Sequence, residues 1–319
     1  METKKSLLPM KRDLLHLFGE PLTGQSAAAI GAFDGLHRGH CHILGNTVRY
    51  ARENGLSSAA ILFDPLPAQF FGRIGSDERL LLREEQEQRL YDLGIDRVVF
   101  LPFTDQLMNL SPEEFLSAML ETLHTVRLFM GTDFSLGKNR EGNSEVLTAL
   151  GQKLGFTTEV IGKDVMDGDV ISSSRIRALL HEGQTSAADR LLGYPFFFSG
   201  PIIHGEARGR KLGFPTLNVK IPKGKLILPN GVYAVNAVID GAQYASVTNV
   251  GVRPTFGLES KGIVVESFLL DAAGDFYGET AKLEFIEMLR GEKRFDSAEA
   301  LKEQINRDIV RAKKILNPE

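Results

Sequence analysis

Apolar residues fall along the first half of the chain in two alternating rhythms. Residues 27–30, 58–63, 97–102 and 126–130 are short runs with the character of buried strands. Between them, residues 84–93 and 112–123 carry apolar positions at helical spacing. Ser111 offers a side-chain oxygen to a helix start, Pro112 takes the first helical position, and Glu114 completes a capping box. Strands alternating with helices predict βαβ units and a mostly parallel sheet, an α/β domain of Rossmann-like kind. Ligands of such sheets gather beyond the carboxyl ends of the strands.

The rhythm changes after Leu192. Runs at 196–203, 216–221, 231–239, 245–251, 263–270 and 282–289 are short, β-rich and closely spaced. Turn pairs such as Asn230-Gly231, Asp240-Gly241 and Ala273-Gly274 separate them, which predicts a small barrel or sandwich. A last helix begins near Ser297, with Asp296 as its expected cap and Glu299 three residues on. Leu301, Ile305, Ile309, Ala312 and Leu316 form one apolar stripe on it, expected to pack on the β domain as a structural helix. The shift places a boundary near 192–196, between a domain of residues 1–192 and one of residues 196–319.

A chain of 319 residues can bury two cores, and 43% hydrophobic with 24% charged residues is ordinary for a globular protein. A net charge of −4 argues against a general nucleic-acid partner. No apolar run approaches the ~20 residues of a membrane span, and the apolar run at 6–10 is too short for a signal-peptide core. Cys41 is the single cysteine, so an internal disulfide is impossible and a reducing cytoplasm is the expected setting. Neither a GxxxxGK(S/T) loop nor a GxGxxG fingerprint is present. The expectation is small-molecule substrates, no membrane, and a monomer or weak homo-oligomer.

The first chemistry-bearing segment is Gly31-Ala32-Phe33-Asp34-Gly35-Leu36-His37-Arg38-Gly39-His40. It follows a buried strand and leads through glycines into a helix. Free N–H groups and the positive dipole end there suit phosphate oxygens. His37 and His40, three apart, share a helical face. Cys41 and His42 lie beside them, but His42 should point away from that face, which weakens a metal reading. The segment resembles the G-x-F-D-G-x-H-x-G-H signature of bacterial FAD synthetases, a branch of the HxGH nucleotidylyltransferases. The resemblance implies transfer of AMP from ATP to a phosphate acceptor, with Gly31, Phe33, Asp34 and Gly39 around the phosphates.

Two further segments fit that likeness. Gly131 through Asp133, Phe134 and Gly137 is similar to the family's G-x-D/N-F-x-F/L-G loop, where the flavin phosphate meets the nucleotide. Ser172, Ser173 and Ser174 precede Arg175 and Arg177, so hydroxyls, helix N–H groups and guanidinium forks could clamp a polyphosphate. That run resembles the family's I-S-S-T/S-x-I-R motif. One departure stands out: Asp64-Pro65-Leu66-Pro67 replaces the usual Pro-His-Pro turn.

The second half carries Gly205, Arg208, Gly209, Lys211 and Gly213, a bare backbone rich in positive charge that can approach phosphates closely. Gly213-Phe214-Pro215-Thr216-Leu217-Asn218 follows. Thr216 and Asn218 alternate to one side of an extended strand and offer oxygen ligands suited to Mg²⁺. Glu266 is the carboxylate inside an apolar strand, the residue type and setting of a general base. These segments, with those around Asn249 and Arg294, resemble the riboflavin kinase signature. Together the likenesses imply a bifunctional enzyme that makes FMN from riboflavin, then FAD, with ATP and Mg²⁺. They imply Glu266 as kinase base, Pro215 beside the nucleotide, and Asp133, Phe134, Asn249 and Arg294 near flavin. An enzyme with one live module and a flavin-binding sensor are the alternatives.

Overall fold

The computed structural model describes residues 15–137, 140–205, 214–252, 263–272 and 274–316. The chain divides into two compact units, Met1–Ser76 with Leu81–Ser172, and Asp77–Leu80 with Ser173–Glu319.

In the first unit the order is β1 (Ser26–Ile30), α1 (Arg38–Glu53), β2 (Ser57–Asp64), α2 (Arg83–Asp92), β3 (Arg97–Pro102), α3 (Pro112–Leu123), β4 (Thr125–Gly131), α4 (Ser144–Leu154) and β5 (Thr157–Ile161). Single turns of helix occupy Pro67–Phe70 and Asp105–Met108, and a hairpin of β6 (Val165–Met166) and β7 (Asp169–Val170) follows β5. The five strands pair in parallel in the order β3-β2-β1-β4-β5. All of β1 is buried, as a central parallel strand covered on both faces must be. Its alanines let α1 lie close, with Ile43, Leu44, Val48 and Ala51 turned inward. On the opposite face Ile30, Ile61 and Met130 join Phe115, Leu116 and Met119 of α3 in one core. Helix α3 starts as its sequence requires: Ser111 Oγ accepts from the Glu114 amide, and Glu114 accepts from the Ser111 amide at 2.9 Å. Strand β5, which the pattern leaves unassigned, is an edge strand with one buried residue, so it carries little apolar signal.

The second unit holds α5 (Ser173–His181), α6 (Thr185–Leu192), β8 (Phe196–Ile203), β9 (Leu217–Lys220), β10 (Gly231–Ile239), β11 (Ala242–Val252), β12 (Ile263–Leu269), β13 (Thr280–Gly291) and α7 (Ala298–Leu316). The six strands close as β10-β11-β12-β9-β8-β13. Asp240 and Gly241 both take positive φ, 48° and 74°, the geometry of a tight hairpin whose twist matches its strands. Phe196, Phe198, Tyr233 and Phe285 fill the barrel, with Phe198 edge-on to Phe285 at 4.9 Å. The cap of α7 is Ser297 rather than Asp296: its Oγ accepts from Ala300 N at 3.1 Å. Ile309, Ala312 and Leu316 of α7 pack over Val232, Ala234 and Leu289.

The compact units part at Ser172–Ser173, earlier than the shift in sequence rhythm. Helices α5 and α6 are thereby grouped with the barrel. Thr185 donates to the Ile286 carbonyl at 3.0 Å, and Asp189 accepts from Phe196 N at 2.8 Å. The strap Asp77–Leu80 also belongs to this unit. Arg79 N donates to Gly224 O, Leu226 N donates to Arg79 O, and Gly224 N donates to the Asp77 carboxylate. Arg177 Nε donates to Glu78 O at 2.7 Å, and His181 pairs with the Glu78 carboxylate at 2.9 Å. Among the described residues no helix is long and apolar enough to cross a membrane.

Candidate active sites

At the carboxyl end of β1 the chain turns sharply. Phe33, Gly35 and Leu36 all take positive φ, 47°, 80° and 38°. For Phe33 and Leu36 this costs about 1–2 kcal/mol each, so the turn must be held from outside. The buried Gln86 of α2 does this, donating to Phe33 O at 2.9 Å and Ala32 O at 3.2 Å. Gly31 is needed because a Cβ there would come within 3.0 Å of the Phe33 ring. Asp34 is buried in the turn.

His37 caps α1, its Nδ1 accepting from His40 N at 3.3 Å. The two imidazoles stack with centroids 3.6 Å apart, and Phe33 stands edge-on to His40 at 5.4 Å. Nδ1 of His40 is buried without a hydrogen-bond partner among the described residues. Burial lowers His37 to about 4 against the pull of a backbone hydrogen bond and, less strongly, of Asp164, and burial beside His37 pushes His40 well below its ordinary value. The stack is therefore neutral at neutral pH. Helix N–H groups stand beside it, and a polyphosphate arriving there would favour the protonated rings. His42 points elsewhere, to Asp164 at 3.0 Å. Among the described residues no three His, Cys, Asp or Glu side chains are grouped to hold a metal.

Of the other expected residues in this unit, Asp133 pairs with Lys163 at 2.5 Å and is largely exposed. Phe134 packs on the core. Leu66 is 2% exposed, so the departing residue of the Asp64–Pro67 turn is core rather than an open gap. Sequence reasoning missed the rings nearby. Phe70, Phe71 and Phe103 contact one another at centroid distances of 5.2–5.9 Å, beyond the carboxyl ends of β2 and β3, and Phe71 is 50% exposed. Only its position past two strand ends, not its spacing, marks this platform.

In the second unit the strand register does the assembling. Asn249 of β11 lies opposite Glu266 of β12, which lies opposite Asn218 of β9. Directly opposed residues share a face, so the three polar side chains form one rung. Thr216, Asn249 and half-buried Glu266 line a cavity of about 680 Å³, within the usual range for a small-molecule site. Gly205 lies against this rung: a Cβ there would overlap the Asn218 amide. Pro215 is exposed beside it. Arg294 sits on the cavity rim with Lys293. Arg208, Gly209, Lys211 and Gly213 lie outside the described residues.

The far wall is where the expectation for α7 was too narrow. Leu301, Ile305 and Asp308 line the same cavity. Asp308, buried, takes a two-pronged bond from Arg290 at 2.9 Å and another from Gln304 at 2.8 Å. Ser173, Ser174, Arg175 and Arg177 form the first turns of α5, described with this unit. The Nε edge of Arg177 is committed to the Glu78 carbonyl.

A family model described as FAD synthetase matches residues 20–175, and one described as riboflavin kinase matches 192–316. A bifunctional riboflavin kinase/FMN adenylyltransferase from Pseudomonas fluorescens is 39% identical over 91% of this chain and 93% of its own. The protein of the same description from Escherichia coli K12 is 35% identical over 89% and 90%. A crystal structure described as a macrolide-efflux protein from Streptococcus pneumoniae superposes with a TM-score of 0.85 at 26% identity, over 94% of this chain and 97% of that one.

Proposed function

Because the chain belongs to the bifunctional riboflavin kinase/FMN adenylyltransferase family, we propose that its two reactions run at the two sites just described. The enzyme phosphorylates riboflavin with ATP to give FMN, then transfers AMP from ATP to FMN, giving FAD and pyrophosphate. The boundary near 192–196, the cytoplasmic setting, the monomeric or weakly oligomeric state and all residue roles below are part of the proposal.

In the kinase, Glu266 takes the proton of the riboflavin 5′-hydroxyl as that oxygen attacks the γ-phosphorus of ATP, the bond to the β,γ-bridging oxygen breaks and ADP leaves. Asn249 and Arg294 orient the flavin, and Leu301, Ile305 and the Arg290–Asp308 pair close on its ring. Gly205 and the glycine-rich segment after it, with Pro215, hold the nucleotide. Thr216 and Asn218 bring a hydroxyl and an amide oxygen beside the Glu266 carboxylate, a donor set of hard oxygens that fits Mg²⁺. Bound there, the ion would neutralise phosphate charge.

In the adenylyltransferase, the FMN phosphate attacks the α-phosphorus of ATP and pyrophosphate leaves. A phosphate monoester is already a nucleophile at neutral pH, so no base is required. His37 and His40, with the N–H groups of α1, stabilise the charge that develops. Gly31, Phe33, Asp34 and Gly39 shape the turn, Ser172 supplies a further phosphate donor, and Asp133 and Phe134 border the flavin phosphate. The Phe70–Phe71–Phe103 platform is of a size to stack an isoalloxazine ring.

The observation that carries this reading is the polar rung of Asn249, Glu266 and buried Asn218, the first two of which line the cavity. Chromatographic separation of riboflavin, FMN and FAD after incubation with Mg-ATP tests it. FMN should appear first and FAD second; FMN as the sole product at long times would leave one live module.

A further inference from the structure

Asp164 pulls on His37 and holds His42 but carries none of the roles assigned to the two reactions, and its placement is unusual. It follows β5, across the turn from the start of α1, and its carboxylate holds His42 Nδ1 at 3.0 and 3.2 Å. Its Oδ2 would lie 3.7 Å from a Cβ on Gly39, so it rests against the first turn of the helix. The flanking chain is pinned. Lys163 pairs with Asp133, and the Asp164 carbonyl accepts from Ile171 N at 2.9 Å. A carboxylate beside a phosphate receptor repels its ligand unless its charge is answered. The titratable and charged groups at the start of α1 and beside it are His37, Arg38, His40, Cys41 and His42, Asp34 on the turn, Arg89 of α2, which acts on Cys41, and Lys163 with Asp133 in the chain flanking Asp164.

We propose that Asp164 is a positioning residue for the adenylyltransferase, clamping His42 and supplying the negative charge that lets the His37–His40 stack go cationic when nucleotide phosphates arrive. This rests on the reading of His37 and His40 as the phosphate site. Its physical basis is proximity: a Cβ on Gly39 would lie 3.4 Å from the His37 ring and 3.7 Å from Asp164 Oδ2, and Asp164 adds to a backbone hydrogen bond in drawing His37 upward against burial. Both Asp164 and His42 are partly open to solvent, 33% and 51% exposed, so screening keeps the effect moderate.

Asp164→Asn, Asp164→Glu and His40→Ala test the idea in the full-length enzyme. FAD formation from FMN is followed from about pH 6 to 9, with FMN formation from riboflavin as the internal control. Asp164→Asn should lose about 3- to 10-fold at the alkaline end and less than about 2-fold at the acid end, a shift of half to one pH unit. Asp164→Glu should restore most of it, and the kinase should not change. Calorimetry of ATP binding in buffers of differing ionisation enthalpy should show less proton uptake in Asp164→Asn than in wild type, the kinase site contributing equally to both. An unshifted profile, or an equal loss at every pH, overturns the proposal while the loss of FAD formation in His40→Ala leaves the site reading standing. Normal FAD formation by His40→Ala overturns both.

Discussion

Replacing His40 with alanine removes one ring of the stacked pair and leaves the α1 amides in place. The expected cost is about 10²–10³ in FAD formation from FMN, the scale for losing one preorganised donor. Riboflavin phosphorylation should survive in the same preparation. Glu266→Gln keeps the rung of Asn249 and Asn218 but removes its base, so FMN production should fall by about 10²–10⁴ while added FMN is still adenylylated. Acid and alkali should act on the two units in opposite senses. His37 holds a proton near pH 6.5 when unfolded but only near 4 when folded. Stability that depends on its neutral form is present above 6.5 and lost as pH falls through 4. Asp189 runs the other way: burial raises it to about 8. Stability from its neutral carboxyl is present below the ordinary carboxylate value near 3.8 and lost as pH rises through 8. Asp189→Asn, which keeps an acceptor for Phe196 N, should raise the alkaline melting temperature and flatten its dependence on pH.

At the scale of elements, much was legible because the signals are local. The capping box at Ser111, the Asp240-Gly241 turn and the β1–turn–α1 junction each follow from a few adjacent residues. What stayed hidden is what register and packing decide. No spacing along the chain announces that Asn249, Glu266 and Asn218 share a rung, since the pairing of three strands brings them together. Gln86 likewise reads as an ordinary polar position on α2, yet it holds a turn more than fifty residues away. The stripe on α7 was visible, but its first turns face the cavity while its later turns pack on the barrel. Ile305→Ala should therefore weaken riboflavin by about 10- to 200-fold, the range for lost apolar contact in a pocket, and leave the KM for ATP nearly unchanged. Steady-state kinetics with each substrate varied separately checks the split.

Across the whole molecule, the sequence rhythm and the compact units answer different questions. The rhythm marks where barrel strands begin; the units mark what packs with them. A fragment of residues 196–319 would lose the Asp189 bond to Phe196 and the Thr185 bond to Ile286. The fragment Ser173–Glu319 keeps both. It should melt at a higher temperature and phosphorylate riboflavin faster, and equal melts would show that α5 and α6 add nothing to the barrel.

The strap Asp77–Leu80 makes the second unit discontinuous, since the chain passes between units after Ser76, after Leu80 and after Ser172. Translation runs from the amino end, so these four residues leave the ribosome well before Gly224–Leu226, the backbone that receives them, has been made. Until then, the Gly224 and Leu226 backbone groups that bond to Arg79 do not exist, and the second unit cannot close. No single cleavage yields both units whole: a break after Ser172 leaves the strap on the wrong piece.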